Sequence, residues 1–194
     1  AHTSGPDSEN ARQNLRQIDR ELGPVLEKIR AAEAQGVPVR VLLSADHGMV
    51  SVKRQVSVPE GWVAMGRAAF ASSGASEESL EGASRLPGVD WVVRRTDKTL
   101  VVSRGRKKFR FALSGGECAA GPQVFVDGRC PDVAKRPEGL SRAAWTGLLE
   151  YFSAQDSPRA LMFAAKDVTF EADERGSHGG LSDDEMYAPL LHRN

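Results

Sequence analysis

Three of the four histidines stand in polar, glycine-containing stretches: His2 in AHTSGPDS, His47 in ADHGM and His178 in GSHGG. Glycine lets the backbone turn tightly beside each ring, so these imidazoles are not simply filling an apolar core. Imidazole nitrogens, together with the carboxylate of Asp46 beside His47, are ligands for zinc and similar divalent ions. Taken alone, DHG or HGG is typical of an ordinary turn, but their joint occurrence predicts a metal site. The fourth histidine, His192, is interpreted as a surface or terminal residue.

The segments before Asp46 explain how such a site is positioned. Apolar residues recur at spacings of three and four between Ser8 and Gln35, which predicts a long amphipathic helix ended by Gly36. Val39 to Leu43 is a short apolar run, typical of a parallel strand that helices cover on both faces. Sites in α/β proteins form beyond the carboxyl ends of such strands, which is where Asp46 lies.

The middle of the chain has a different pattern. Three β-rich runs in VDWVVRRTDKTLVVSRGRKKFRFAL predict a meander, a helix is expected around residues 141–152, and residues 159–165 predict a buried strand. We therefore expect an α/β core formed by residues 1–58 and 156–194. Residues 59–155 are predicted to be an α+β insert or lid.

Composition excludes some classes of partner. The chain has 194 residues with 26 basic and 26 acidic side chains, so its net charge does not favour nucleic acid or an anionic membrane. The basic run SRGRKKFRFAL alternates charged and aromatic residues, which indicates a strand with one wet face and not a nucleic-acid surface. No run approaches the roughly 18 apolar residues that span a bilayer, so no membrane span is expected.

Two cysteines, Cys118 and Cys130, could close a small loop in an oxidising compartment or could remain unpaired thiols. A zinc site at this pair is not expected, since structural zinc sites need about four ligands and no histidine is near in the sequence. Near the end of the chain, Asp183, Asp184 and Glu185 are interpreted as a solvated acidic helix start capped by Ser182.

These blocks carry a resemblance to a known family. HTSGP before the long helix, LLSADHGM on the next strand, and GSHGG with DDEMYAPLL resemble the C-terminal portion of the type I phosphodiesterase and nucleotide pyrophosphatase family. This family belongs to the alkaline phosphatase superfamily. The resemblance covers both ends of the chain, about half its length, and does not extend to the central insert.

The resemblance implies an alkaline-phosphatase-like core with a largely parallel sheet flanked by helices. It implies two divalent metal ions, expected to be zinc, with Asp46 and His47 binding one ion and His2 and His178 binding the other. It also implies a Thr or Ser nucleophile and further acidic ligands that lie upstream of Ala1. No catalytic nucleophile is therefore assigned within the chain.

The function implied by the resemblance is metal-dependent hydrolysis of phosphate esters, with a small-molecule phosphate ester or nucleotide as substrate. Phosphatases, sulfatases and phosphonate hydrolases share the scaffold and stay as alternatives. A different class is also open: a non-catalytic binding module that pairs with the N-terminal remainder of the same protein or with a complementary chain. Family members are commonly exported, which favours a periplasmic or secreted location.

Overall fold

The structure is a computed structural model that describes residues 1–96, 99–112, 136–153, 157–188 and 190–193. Its helices are α1 (Glu9–Ala34), α2 (Glu77–Gly82), α3 (Arg142–Ser153) and α4 (Asp183–Met186), with a short 3-10 helix at Ala83–Arg85. Its strands are β1 (Val41–Ser44), β2 (Val50–Ser51), β3 (Arg54–Gln55), β4 (Trp62–Met65), β5 (Ala68–Ala71), β6 (Val89–Arg95), β7 (Thr99–Arg104), β8 (Lys107–Ala112), β9 (Ala160–Ala164), β10 (Val168–Thr169), β11 (Gly176–Ser177) and β12 (Leu190–Arg193). Within these ranges, none of the helices is both long and apolar enough to cross a membrane. Cys118 and Cys130, whose pairing the sequence leaves open, lie outside the described residues.

The first helix confirms the prediction of a long helix between Ser8 and Gln35. The Ser8 hydroxyl accepts a hydrogen bond from the amide of Ala11 and so caps the helix. Gly36 follows the helix with a φ of 81°, a left-handed conformation that glycine adopts without steric cost. The apolar stripe of the helix is largely exposed to water, and its exposed members include Leu15, Ile18 and Val25.

The largest sheet contains six strands in the order β4-β5-β9-β6-β7-β8, and every neighbouring pair is antiparallel. Among the described residues only the two-residue ladder of β3 with β10 is parallel, so the largely parallel core that the resemblance implies is not confirmed. The reason lies in the connections. Two or three residues of sequence separate β4 from β5, β6 from β7 and β7 from β8. Such a short connection can join only antiparallel neighbours.

The hydrophobic core lies on both faces of this sheet. α3 packs on one face, where Trp145, Leu149 and Phe152 are fully buried. α2 and the 3-10 helix cover the other face through Leu80 and Ala83. All five residues of β9 are buried. The predicted central helix and the predicted buried strand that follows it are therefore confirmed.

The basic strand β8 has the alternation expected of an edge strand with one wet face. Phe109 and Phe111 pack against the core, whereas Lys108 and Arg110 are exposed. Among the strands that the structure describes, it pairs with β7 alone and forms one edge of the six-stranded sheet.

β1 forms where the apolar run predicts a strand, but its surroundings differ from the prediction. It pairs antiparallel with β12, with Leu42 opposite His192, and the Leu42 and Leu43 residues are 68% and 46% exposed. The expectation of a parallel strand covered by helices is thus wrong for the described residues. An apolar run specifies a strand, but it specifies neither the direction of the partner nor what covers the two faces.

Two short ladders connect the region after β1 to the end of the chain. β2 pairs with β11, and β3 pairs with β10. The six-stranded sheet also takes one strand, β9, from the region assigned to the core and the other five from the region assigned to the insert. The division of the chain at residues 58 and 156 stays a prediction.

Candidate metal centre

The loop that carries Asp46 and His47 lies directly against α4. The amide of Gly48 donates a hydrogen bond to the carbonyl oxygen of Glu185 at 3.1 Å. A Cβ atom at position 48 would lie 1.8 Å from the carbonyl oxygen of Asp184, so only glycine permits this approach. The close contact fixes the position of the loop relative to α4.

His178 follows the buried strand β11, and main-chain contacts of His178 and of the neighbouring Ser177 fix its position. Its carbonyl oxygen accepts a hydrogen bond from the amide of Arg67 at 2.8 Å. In the ladder of β11 with β2, Ser177 lies opposite Val50, which is three residues after His47 in the sequence. This register brings the loop of His178 beside the loop of His47.

His2 reaches the same place through its main chain. Its carbonyl oxygen accepts hydrogen bonds from the amides of Arg175 at 2.7 Å and Gly176 at 2.9 Å. Arg175 and Gly176 come shortly before His178 in the sequence. The first and last parts of the chain are therefore joined at this point.

As a result, the three histidines lie in contact. The ring centroids of His47 and His178 are 3.8 Å apart in a stacked arrangement, and those of His2 and His178 are 5.2 Å apart with an interplanar angle of 69°. Oδ2 of Asp46 lies 3.3 Å from Nε2 of His47. The structure thus brings together the four side chains that the sequence predicts as ligands.

Hydrogen bonding assigns the ring nitrogens of His47. Nδ1 lies 2.9 Å from the carbonyl oxygen of Gly48. Because a carbonyl oxygen only accepts, Nδ1 carries the hydrogen, and Nε2 of the neutral ring presents a lone pair. That lone pair lies beside the carboxylate of Asp46. A metal ion bound between these two acceptors would relieve the repulsion between them.

Glu174 is a site residue that sequence reasoning missed. Its Oε1 lies 2.8 Å from Nδ1 of His2, and its Oε2 accepts a hydrogen bond from the Thr169 hydroxyl at 2.9 Å. The Glu174 side chain is 10% exposed. Burial alone would raise the pKa of this carboxyl, but hydrogen bonds from Ser177, Thr169 and His2 outweigh burial and hold the pKa below its usual value. An ionised Glu174 leaves Nε2 of His2 as the nitrogen with a free lone pair.

The surroundings of His178 favour its neutral form. Burial first, and then repulsion from the imidazoles of His47 and His2, lower the pKa of His178 from its usual value. The nearby carboxylates oppose this effect only in part. Since a metal binds the deprotonated imidazole, His178 is available as a ligand at a lower pH than an ordinary histidine.

The donor types at this centre fit zinc, whereas their present arrangement does not enclose an ion. Across the described ranges, no group of three or more His, Cys, Asp or Glu side chains is arranged to hold one metal ion. The stacked rings of His47 and His178 present their faces to each other, and their lone pairs lie in the ring planes. Rotation of these exposed or half-buried side chains would be needed before a common ion could be bound.

A buried ion pair lies directly behind the centre. Nη1 of Arg67 is 2.5 Å from Oε2 of Glu185, and the two side chains are 5% and 1% exposed. The guanidinium also donates to main-chain carbonyl oxygens on both sides of the turn after β9, and the carboxylate accepts from the amide of Gly180 and the hydroxyl of Ser182. This corrects the interpretation of Glu185 as part of a solvated helix start, because a partner distant in the sequence draws this acid inward. Asp183 and Asp184 are exposed, as expected.

A cavity of about 660 Å³ opens beside the histidines. His2, His47, His178 and Glu174 line one end of it. The rest of its wall is mainly apolar and includes Met65, Phe70, Leu148, Leu161, Phe163 and Met186. Cavities of this size and lining are typical of small-molecule sites.

Comparison with known proteins identifies a family. The sequence model of a family described as type I phosphodiesterase / nucleotide pyrophosphatase matches residues 1–116, more than half of the chain. The match includes His2, Asp46 and His47, and it ends before His178. No curated protein and no solved structure matches the chain significantly.

Proposed function

Since the chain belongs to the type I phosphodiesterase / nucleotide pyrophosphatase family, we propose that it supplies the ligands of a two-zinc site in a phosphodiesterase or nucleotide pyrophosphatase. Family membership supports hydrolysis of a phosphate ester. The proposal adds two points to family membership: the site binds two zinc ions, and the substrate is a diester or a phosphoanhydride.

The observation that carries the proposal is the convergence of His2, His47 and His178 with the carboxylates of Asp46 and Glu174. These residues come from three distant parts of the chain. Two of the rings, His2 and His47, have Nδ1 engaged by an oxygen acceptor, which leaves Nε2 to a ligand. Imidazole and carboxylate donors of this kind are the ones that zinc takes in catalytic sites.

In the proposed site, Asp46 and His47 would bind one zinc ion, and His2 and His178 would bind the other. When bound, such a pair of ions supplies positive charge to the phosphoryl group and to the oxygens that enter and leave. Glu174 would hold the imidazole of His2 in one tautomer and one orientation. A Thr or Ser hydroxyl that is not among the residues of this chain would lose its proton and attack phosphorus, and the bond from phosphorus to the leaving oxygen would break. Water would then release the remaining phosphate monoester from that residue.

Replacing His47 with alanine tests the proposal. We expect the His47→Ala variant to lose one of two equivalents of bound zinc, measured by calorimetry, because it removes one ligand from a site with few ligands. The same change should abolish cleavage of a chromogenic phosphodiester by the protein that carries the nucleophile. His192→Ala makes the same chemical change at a residue not predicted to be a ligand, and should bind two equivalents. Equal zinc binding by both variants would count against the site.

Glu174 gives a second prediction. The Glu174→Ala variant should bind zinc about 10- to 100-fold more weakly, which is the usual effect of removing a carboxylate that orients a metal-binding histidine. Glu174→Gln keeps an acceptor for Nδ1 of His2 and should lose less. The control is Asp173→Asn, which removes one negative charge from the exposed residue next to Glu174. Asp173 has a φ of 60°, a conformation that asparagine tolerates. Wild-type affinity in the alanine variant would contradict the role given to Glu174.

One observation favours the second candidate, a non-catalytic module that pairs with another chain. The ribbon of β1 and β12 exposes four leucines: Leu42, Leu43, Leu190 and Leu191. Exposed apolar patches mark protein interfaces when they are contiguous. Stoichiometric association with a second chain, without ester cleavage in the presence of zinc, would support this candidate over the hydrolase.

A further inference from the structure

We infer that the apolar cavity beside the histidines binds an alkyl group of the phosphate-ester substrate. This inference rests on the proposed function, since the histidine end of the cavity is taken to hold the phosphoryl group. It adds a substrate class to that function: esters with an apolar alkyl chain on the phosphate.

The position of the cavity supports this assignment. One continuous space of about 660 Å³ is lined by the three histidines and Glu174 at one end and by side chains of β4, β5, α3, β9 and α4 elsewhere. A ligand that is anchored by a negative group at the histidines therefore reaches the apolar wall without leaving the cavity.

The wall is built from the core of the six-stranded sheet. Leu148, Leu161 and Phe163 are buried in the cluster between α3 and the sheet, so this part of the wall is fixed by packing. Phe70 and Met186 pack against the same cluster but are only partly buried. Their remaining surface faces the cavity, where an alkyl chain would remove it from water.

The polar groups of the wall favour an alkyl chain over a nucleoside. Beyond the histidines and Glu174, the ionisable side chains of the lining are Glu171, Tyr151 and Glu185, and the carboxylate of Glu185 is already paired with Arg67. A base and a ribose need hydrogen-bond partners along their length. The wall formed by Phe70, Leu148 and Leu161 supplies apolar carbon in that place.

Gly147 provides a separate observation. It lies in the interior of α3, where glycine is unfavourable, and it lines the cavity. A Cβ at this position would lie 3.5 Å from Cε of Met186, which is an ordinary contact. Alanine therefore fits without strain, while a longer side chain would extend into the space proposed for the ligand.

The test uses alkylphosphonates, which carry the charged group and the chain but have no ester bond to cleave. Binding of methyl, butyl and octyl phosphonate to the zinc-loaded chain is measured by calorimetry. We expect affinity to rise about threefold for each added methylene until the cavity is filled. Gly147→Leu should reduce octyl phosphonate affinity at least tenfold and leave methyl phosphonate affinity unchanged. Gly147→Ala is the matched control, with a change of about threefold or less.

Met65→Ser provides a second variant that does not depend on core packing, because Met65 lines the cavity yet is largely exposed. It should weaken octyl phosphonate binding about threefold. Equal affinity for all chain lengths, or tighter binding of a nucleoside phosphonate than of the octyl compound, would overturn the inference.

A parallel measurement separates this inference from the proposed function. Methyl NMR signals of Met65 and Met186 are followed during titration with octyl phosphonate, with and without zinc. Shifts of both signals without any zinc binding would support the cavity and count against the zinc site. Zinc binding with no methyl shift at any chain length would support the zinc site and count against the cavity as an alkyl site.

Discussion

Replacement of Glu185 with leucine is expected to lower the free energy of unfolding by about 3–5 kcal/mol, because it leaves the buried guanidinium of Arg67 without a counter-charge. The replacement also removes the carboxylate that accepts hydrogen bonds from the Gly180 amide and the Ser182 hydroxyl. Urea unfolding followed by circular dichroism measures the effect.

Two further variants separate the charge from its surroundings. Asp184→Leu makes the same change at the exposed neighbouring acid and should alter stability by less than about 0.5 kcal/mol. The double replacement Arg67→Met with Glu185→Leu removes both charges and should recover much of the loss. A loss below about 1 kcal/mol in Glu185→Leu alone would mean that the pair does not hold the loop of Gly179 and Gly180 to the sheet.

The Gly48→Ala variant is expected to be the second severe change. Its Cβ would lie 1.8 Å from the carbonyl oxygen of Asp184 and 2.8 Å from the carbonyl carbon, so main chain must move on one side or the other. The movement breaks the hydrogen bond from Gly48 to Glu185 and displaces His47. We expect a loss of about 3 kcal/mol or more in the free energy of unfolding, together with at least tenfold weaker zinc binding.

Gly82→Ala is the control for that experiment. Gly82 ends α2 with right-handed helical dihedral angles, and a Cβ there would meet no atom within 4 Å. Alanine should therefore be neutral or should stabilise the protein by up to about 1 kcal/mol. If Gly48→Ala were as stable as Gly82→Ala, the close approach of the DHG loop to α4 would be wrong.

Local patterns predicted local elements well. The spacing of apolar residues located α1, and three β-rich runs located the meander of β6, β7 and β8. The approach of His2, His47 and His178 was expected from the family blocks, and the structure places the rings in contact. The ions that these residues would bind stay a proposal.

What the sequence could not supply was long-range pairing. Ser182 and Glu185 have the Ser-x-x-Glu spacing of a capping box, but only the folded chain places Arg67 beside this third acid. Glu174 was likewise invisible because its partner, His2, is at the other end of the chain. The prediction of a parallel partner for β1 failed for the same reason. The run of apolar residues is local, whereas the antiparallel partner β12 is distant in the sequence.

The place of β9 between β5 and β6 has a consequence for how the protein folds. The hairpins of β4–β5 and β6–β7 can form early from neighbouring residues, but each has an open edge until residues 160–164 have been synthesised. Contacts that join distant segments slow folding and prolong exposure of unpaired edges. Nascent chains that stop before β9 should thus be the species that chaperones must protect during translation.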